Sequence, residues 1–261
     1  MIYRWEHLSS PELAERANPN SVAVMALGAI EQHGPHLPLS TDLDIVNGLL
    51  ERALAALQVA QPVFVLPAMA LGASDEHGDF VGTLSLSAAQ MSDVLARLGR
   101  AVTAAGIRRL VLVNGHGGNI GWMGPAALDL RRRHGMLVVK ASYMQFSAPE
   151  DLLGAEELKF GLHGGQAETA MMMHLHPERI RSDKLSKFDS VAERLPSDAV
   201  VGPESEASWA WLAQDLSPEG VVGRADLATA ALGQRLVDFY AKKLTQVLSE
   251  AVVTELPAWT G

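Results

Sequence analysis

The stretch Val22-Ala23-Val24-Met25-Ala26-Leu27-Gly28 is a short, unbroken apolar run closed by a glycine. A strand that is apolar at every position is buried on both faces, the condition of a strand inside a parallel sheet. Residues 44–57 then carry Ile45, Leu49, Leu50, Ala53, Leu54 and Leu57 at helical spacing. The alternation continues outward. Residues 63–66 predict a second strand stopped by Pro67, and residues 87–105 predict a helix with Ser87 as its N-cap and Gly106 as its stop. Met91, Val94, Leu95, Leu98 and Val102 form one face of that helix. Residues 110–113 predict a third strand, residues 119–133 a helix and residues 137–141 a fourth strand. Alternation of this kind predicts an α/β fold with a mainly parallel central sheet and helices on both faces.

Towards the C-terminus the pattern changes. Residues 182–223 are rich in Pro, Ser, Gly and acidic side chains and hold Trp209 and Trp211, which predicts irregular structure serving as a lid or an oligomer contact. A long amphipathic helix is expected over residues 226–250. No internal repeat or linker divides the chain, so residues 1–261 read as one domain.

Composition narrows the function. The chain has no cysteine, which excludes thiolate zinc sites, iron–sulfur clusters and a cysteine nucleophile. Its net charge of −9 argues against a nucleic-acid partner, and the one dense basic cluster, Arg131-Arg132-Arg133, reads as the polar end of a helix. No apolar run reaches the roughly 18 residues of a membrane span. The start, Met1-Ile2-Tyr3-Arg4-Trp5-Glu6-His7, lacks the basic and apolar regions of a signal peptide, so a cytoplasmic protein with no membrane partner is expected.

Four segments carry chemistry. The first runs from Gly28 through Glu31-Gln32-His33-Gly34-Pro35-His36 to Asp42, directly after the first strand. Ligand sites gather at the carboxyl ends of strands in open α/β sheets. Glu31 and His33 are two apart and point the same way in extended backbone. With Asp42 they make an N/O donor set suited to Zn, Mn or Fe. The alternative is a polar loop whose histidines cap neighbouring elements. The second segment is Asn114-Gly115-His116-Gly117-Gly118-Asn119, again just past a strand. Its glycines would allow a phosphate loop, but no Lys-Ser/Thr follows, and a histidine in a glycine turn suits a metal ligand better.

The third segment is His163-Gly164-Gly165-Gln166-Ala167-Glu168-Thr169, which leads into the apolar Ala170-Met171-Met172-Met173. Glu168 would enter a helix that is hydrophobic on most sides, where an unpaired carboxylate is costly. It needs a cation or another partner, unless it faces solvent or an arginine. His174 and His176, beside Pro177, read as structural or exposed. The fourth segment, residues 74–83, offers Ser74, Glu76 and His77 as substrate contacts, with a plain connecting loop as the alternative. The chain has no G-x-S-x-G, H-E-x-x-H or helix-opening G-x-G-x-x-G, so serine-hydrolase, zincin and dinucleotide-dependent readings lose their support.

The run Glu31-Gln32-His33-Gly34-Pro35-His36-Leu37-Pro38-Leu39 through Asp42, the turn from Asn114 and the H-G-G-x-x-E-T from His163 together resemble the creatininase (creatinine amidohydrolase) family. The resemblance implies a three-layer α/β/α sandwich, often a homohexamer, with two divalent metal ions (Zn, Mn or Fe) and an amide-type small-molecule substrate. It implies Glu31 and His33 as ligands of one metal each, Asp42 as the bridge, His116 as a further ligand and His163 as the acid–base residue. A metal-activated water would then cleave a C–N bond in a cyclic amide, formamide or small amide.

Members acting on creatinine carry a Tyr-Glu pair where this chain has Gly117 and Gly118, and that Glu is a ligand. Glu168 is the candidate replacement, and both glycines become candidate substrate contacts. The family's Trp-Asp pair and a second Trp are replaced by Lys159-Phe160 and Met144. Relatives also include a formamide-cleaving deformylase and a precursor-peptide peptidase. A mononuclear hydrolase and a non-catalytic binding protein on the same scaffold are the remaining alternatives.

Overall fold

The computed structural model describes residues 1–148 and 151–255. Strand β1 (Ile2–Arg4) and helix α1 (Ser10–Arg16) precede β2 (Val22–Leu27), α2 (Thr41–Ala56), β3 (Val63–Val65) and α3 (Ala88–Ala104). Then come β4 (Arg109–Asn114), α4 (Ile120–His134), β5 (Leu137–Ser142), α5 (Ala155–Phe160) and α6 (Gln166–Leu175). The five strands form one parallel sheet in the order β1-β3-β2-β4-β5.

Alternate residues of β2 serve opposite cores. Val22, Val24 and Ala26 pack with Ile45 and Leu49 of α2, Met171 of α6 and Leu244 of the last helix. Ala23, Met25 and Leu27 pack with Met91 and Leu95 of α3 and Met123 and Leu130 of α4. The period-2 alternation of a strand thus divides one apolar run between two helical layers. The architecture is the three-layer α/β/α sandwich expected from the sequence.

Chain order places the site. From β2 the chain crosses through α2 to β3 on one side. It then returns through α3, on the opposite layer, to β4 on the other side of β2. The strand order therefore reverses between β2 and β4. In open α/β sheets the crevice at such a switch point, beyond the carboxyl ends of the strands, is where ligands bind. The loops after β2 and β4 are the first two chemistry-bearing segments.

Differences from the sequence reading are local. Helix α2 begins at Thr41 rather than residue 44, so Asp42 stands in a helical first turn instead of a loop. Thr41 Oγ1 donates to Pro38 O at 2.7 Å, which closes the turn ahead of it. Sequence reasoning overlooked β1, α1 and α5. Residues 182–223 hold 3-10 turns, the two-residue strands β6 (Lys187–Phe188), β7 (Val201–Gly202) and β8 (Ala207–Ser208), and the short α7 (Ala213–Leu216). Strand β9 (Gly223–Arg224) pairs with β6, and α8 (Ala230–Val253) closes the fold. No helix among the described residues is long and apolar enough to cross a membrane.

Candidate metal centre

Glu31 and His33 come from the loop after β2, Asp42 from the first turn of α2 and His116 from the turn after β4. Their residues are 0%, 1%, 2% and 3% exposed, so the site buries two carboxylates against two imidazoles. Such burial is strongly unfavourable unless the charges are matched. Yet both Glu31 oxygens, His33 Nε2 and Asp42 Oδ2 have no hydrogen-bond partner. They lie close without being aligned on one another. Asp42 Oδ1 is 3.2 Å from His33 Nε2, Asp42 Oδ2 is 3.0 Å from His116 Nδ1, and Glu31 Oε2 is 3.3 Å from His116 Nδ1.

These atoms fall into sets that could hold an ion. Glu31, Asp42 and His116 form one, and His33, Asp42 and Glu168 another, with the ligand atoms of each set within 4.8 Å of one another. Glu31, His33 and His163 form a third. Asp42 belongs to the first two and turns one oxygen to each. Imidazole and carboxylate donors, orphaned and converging, fit borderline divalent cations.

Hydrogen bonds at the back of each ring set which nitrogen faces the centre. Placing protons to satisfy the network, His116 Nε2 donates to Ala73 O (2.9 Å), His33 Nδ1 to Glu31 O (3.2 Å) and His163 Nε2 to Gln32 O (2.8 Å). The opposite nitrogen of each ring is turned inward, where it could offer a lone pair to a cation, the arrangement typical of metal-site histidines. His77 is reversed. Its Nδ1 accepts from Gln32 Nε2 at 2.9 Å, so its Nε2 carries the hydrogen, 3.4 Å from Glu31 Oε1 but not bonded to it. His77 therefore presents a donor to the cavity.

The charges respond to this crowding. Burial opposes the His33 imidazolium, but Asp42, Glu168 and Glu31 outweigh it and push His33 up to about 9. Burial likewise opposes the His116 imidazolium, and Glu31 and Asp42 hold it well above the ordinary range. Burial pushes Glu168 up to about 7, and Asp42 and Glu31 add to the shift. His77 is pushed down to about 4 by burial, and burial together with His33 and His77 holds His163 well below the ordinary range. Protons on His33 and His116 match the charge of the carboxylates around them.

Each residue singled out in the sequence can now be located. Glu168, in the first turn of α6, is half-buried, turns towards the cavity and pairs with no arginine among the described residues. Its Oε2 accepts from Gly164 N at 2.7 Å and lies 3.9 Å from His33 Nε2, while Tyr143 OH donates to Oε1 at 3.5 Å. His163 Nδ1 is 3.8 Å from Glu31 Oε1. Glu76, His77, Gly117 and Gly118 line a cavity of about 770 Å³ above the centre. Ser74 does not. It is fully buried behind His116, with Oγ 3.3 Å from Nε2, so its expected substrate contact is corrected to support of that ring. His174 is exposed and His176 pairs with Glu178 at 3.3 Å, as their place beside Pro177 predicted.

Some contributors escaped sequence reasoning. Gln32 ties His77 to Gly220 O, and Asn119 Oδ1 accepts from Ala73 N at 3.1 Å, fixing the carbonyl that holds His116. Met144, Leu162, Glu204 and Trp211 wall the outer cavity, so part of residues 182–223 borders the site. Lys159 and Phe160 line an adjoining cavity instead.

The description "Creatinine amidohydrolase", the creatininase family model, matches residues 6–248. The chain belongs to the creatininase family. A mycofactocin precursor peptide peptidase from Mycobacterium tuberculosis is 33% identical over 235 residues, 88% of this chain and 85% of that protein. Creatinine amidohydrolase from Pseudomonas putida is 28% identical, covering 66% of this chain and 71% of its own. A solved manganese creatininase superposes with a TM-score of 0.79 at 23% identity, over 96% of this chain and 99% of that one. Within this creatininase-family chain, Gly118 has a steric cause. A Cβ there would fall against Ala73 O, 2.5 Å from His116 Nε2 and 2.6 Å from Glu76 Oε1. The Ala73 carbonyl and the His116 and Glu76 side chains leave no room for a side chain at this position, whereas Gly117 beside it faces open space.

Proposed function

We propose that this creatininase-family hydrolase cleaves a C–N bond of an amide at a two-metal centre. Glu31, Asp42 and His116 would hold one ion, and His33, Asp42 and Glu168 the other. The observation that carries the reading is Asp42, which turns Oδ1 to His33 and Oδ2 to His116 and so serves both sets. Bound there, divalent metals (Zn, Mn or Fe) supply Lewis acidity and lower the pKa of water. Electrostatic stabilisation of a developing oxyanion is commonly worth about 3–4 kcal/mol even for a single donor group.

The chain's own groups do the proton work. His163 is neutral, its Nε2–H is fixed on Gln32 O, and its Nδ1 lone pair faces Glu31. It would take at Nδ1 the proton given up by the attacking water and deliver it to the departing nitrogen, which leaves poorly as an anion. His77 Nε2–H, Glu76, Gly117 and Gly118 orient the substrate in the cavity.

Cyclic amides, formamides and small amides fit this chemistry. A precursor-peptide substrate is the second reading, supported by the likeness to the mycofactocin precursor peptide peptidase over 88% of this chain. The chain is further proposed to be one cytoplasmic domain that assembles as a homohexamer. Metal content per chain, measured by mass spectrometry on protein purified without chelator, tests the centre. Two ions per chain are expected. One would favour a mononuclear hydrolase, and none after reconstitution with Zn and Mn would overturn the reading. Two ions and tight ligand binding with no turnover would mark a binding protein.

A further inference from the structure

Outside the centre, the most unusual ionisable group is Glu157 on α5. It is 5% exposed, and burial pushes its carboxyl above the usual carboxylate range. The guanidinium of Arg224 offsets its charge only in small part, being engaged by Asp226 through two contacts of 2.8 Å. Backbone amides hold it instead. Its Oε1 accepts from Gln166 N at 2.6 Å and its Oε2 from Arg224 N at 2.8 Å, and Ala167 N adds a third donor.

Gln166 and Ala167 open α6, where amide hydrogens have no intrahelical acceptor and the helix field favours an anion. The N-cap, Gly165, has no side chain to supply one. A Cβ at Gly161 or Gly165 would collide with the Glu157 carboxylate, and one at Gly223 would stand 2.9 Å from Oε2. These glycines, from the loop ahead of α6 and from β9, leave the space that the carboxylate fills. His163 lies between Gly161 and Gly165. Its carbonyl accepts from Val222 N at 2.8 Å, one residue before Gly223. Glu168 follows in the first turn of α6.

We infer that Glu157 is a positioning residue. It clamps α5, the start of α6 and β9 together so that His163 and Glu168 face Glu31 and His33. It touches neither the cavity nor the ligand sets, so its action is entirely through the segment it holds. The functional consequence rests on the metal-centre reading, whereas the clamp itself does not.

Glu157→Gln tests it with little change of shape, since one oxygen becomes an NH₂ facing a backbone N–H. Hydrogen exchange by mass spectrometry on the folded, metal-free protein should show residues 161–168 and 222–224 exchanging about 10-fold faster or more, with the rest of the chain unchanged. Titration with Mn²⁺ should show one of two ions bound about 10–100-fold more weakly, the usual cost of losing support behind a ligand. Glu157→Asp keeps the charge but withdraws it by one methylene, and should fall between the two. Wild-type exchange over 161–168 in Glu157→Gln would overturn the clamp. Faster exchange spread evenly over the chain with wild-type Mn²⁺ affinity would also overturn it. If the unaltered protein bound no Mn²⁺, the metal-centre reading would fail while the exchange result still decided the clamp.

Discussion

Asp42 is the side chain on which both proposed ions depend, since each of its oxygens faces a different histidine. Asp42→Asn should therefore release both metals, whereas Glu168→Gln should release one, because Glu168 belongs only to the set with His33. Metal analysis of the two purified variants separates these outcomes, and equal loss from both would refute the shared-bridge assignment. His163→Asn should keep its metals and lose about 10²–10⁴ in kcat, the range for removing a general acid–base group. Full activity in that variant would remove His163 from the proton path. Glu31, His33 and Asp42 were legible as a group because they crowd between Gly28 and the start of α2. Gln32 was not, because its work lies in contacts to His77 and Gly220, which only the fold brings near. Ser74 was misread for the same reason: a polar loop residue gives no sign of which way it faces. Its hydroxyl stands behind His116.

Elements with strong local signals were read well. Helix α3 has an apolar face and a capping box in which Ser87 Oγ accepts from Gln90 N and Gln90 Oε1 accepts from Ser87 N. Ser87→Ala should cost about 1 kcal/mol, the usual worth of an N-cap. For a chain of this size that is a fall of about 2–4 °C in Tm, readable by calorimetry on the metal-free protein. No change would mean that this helix end is held by tertiary packing alone. Short elements escaped because their signals are weak: β1 is three residues, half-exposed at the sheet edge, and α5 has six. The start of α2 was placed late because Thr41 and Asp42 look like loop residues, yet both are favourable in a helical first turn. The turn after β4 makes a sharper prediction. Gly118→Ala should weaken metal binding by displacing the Ala73 carbonyl or His116, since its Cβ has no free space. Metal affinity equal to the unaltered protein would show that this turn yields easily.

Across the molecule the metal centre links folding to pH. In metal-free protein His33 titrates at about 9 against an ordinary 6.5. A raised folded-state pKa gives stability that is fully present below pH 6.5 and lost as pH rises through 9. Glu168, pushed up from 4.5 to about 7, acts in the same direction: its contribution is fully present below pH 4.5, is lost as pH rises through 7 and is constant above that. His77 does not oppose this trend. It titrates at about 4 against an ordinary 6.5, so its contribution changes between those values and levels off just above pH 6.5. Metal ions reverse the balance. They require the His33 and His116 lone pairs and the Glu168 carboxylate, so binding expels protons and strengthens as pH rises. At about 100 times the dissociation constant a ligand adds about 2.7 kcal/mol, or about 5–10 °C in Tm for a chain of this size. The gap in Tm between metal-loaded and metal-free protein should therefore widen from pH 6.5 to pH 9, as one curve rises or holds while the other falls. Scanning calorimetry at three or four pH values, with Mn²⁺ and with chelator, measures it. Parallel curves would mean that metal binding displaces no protons, which is incompatible with His33 and His116 as ligands.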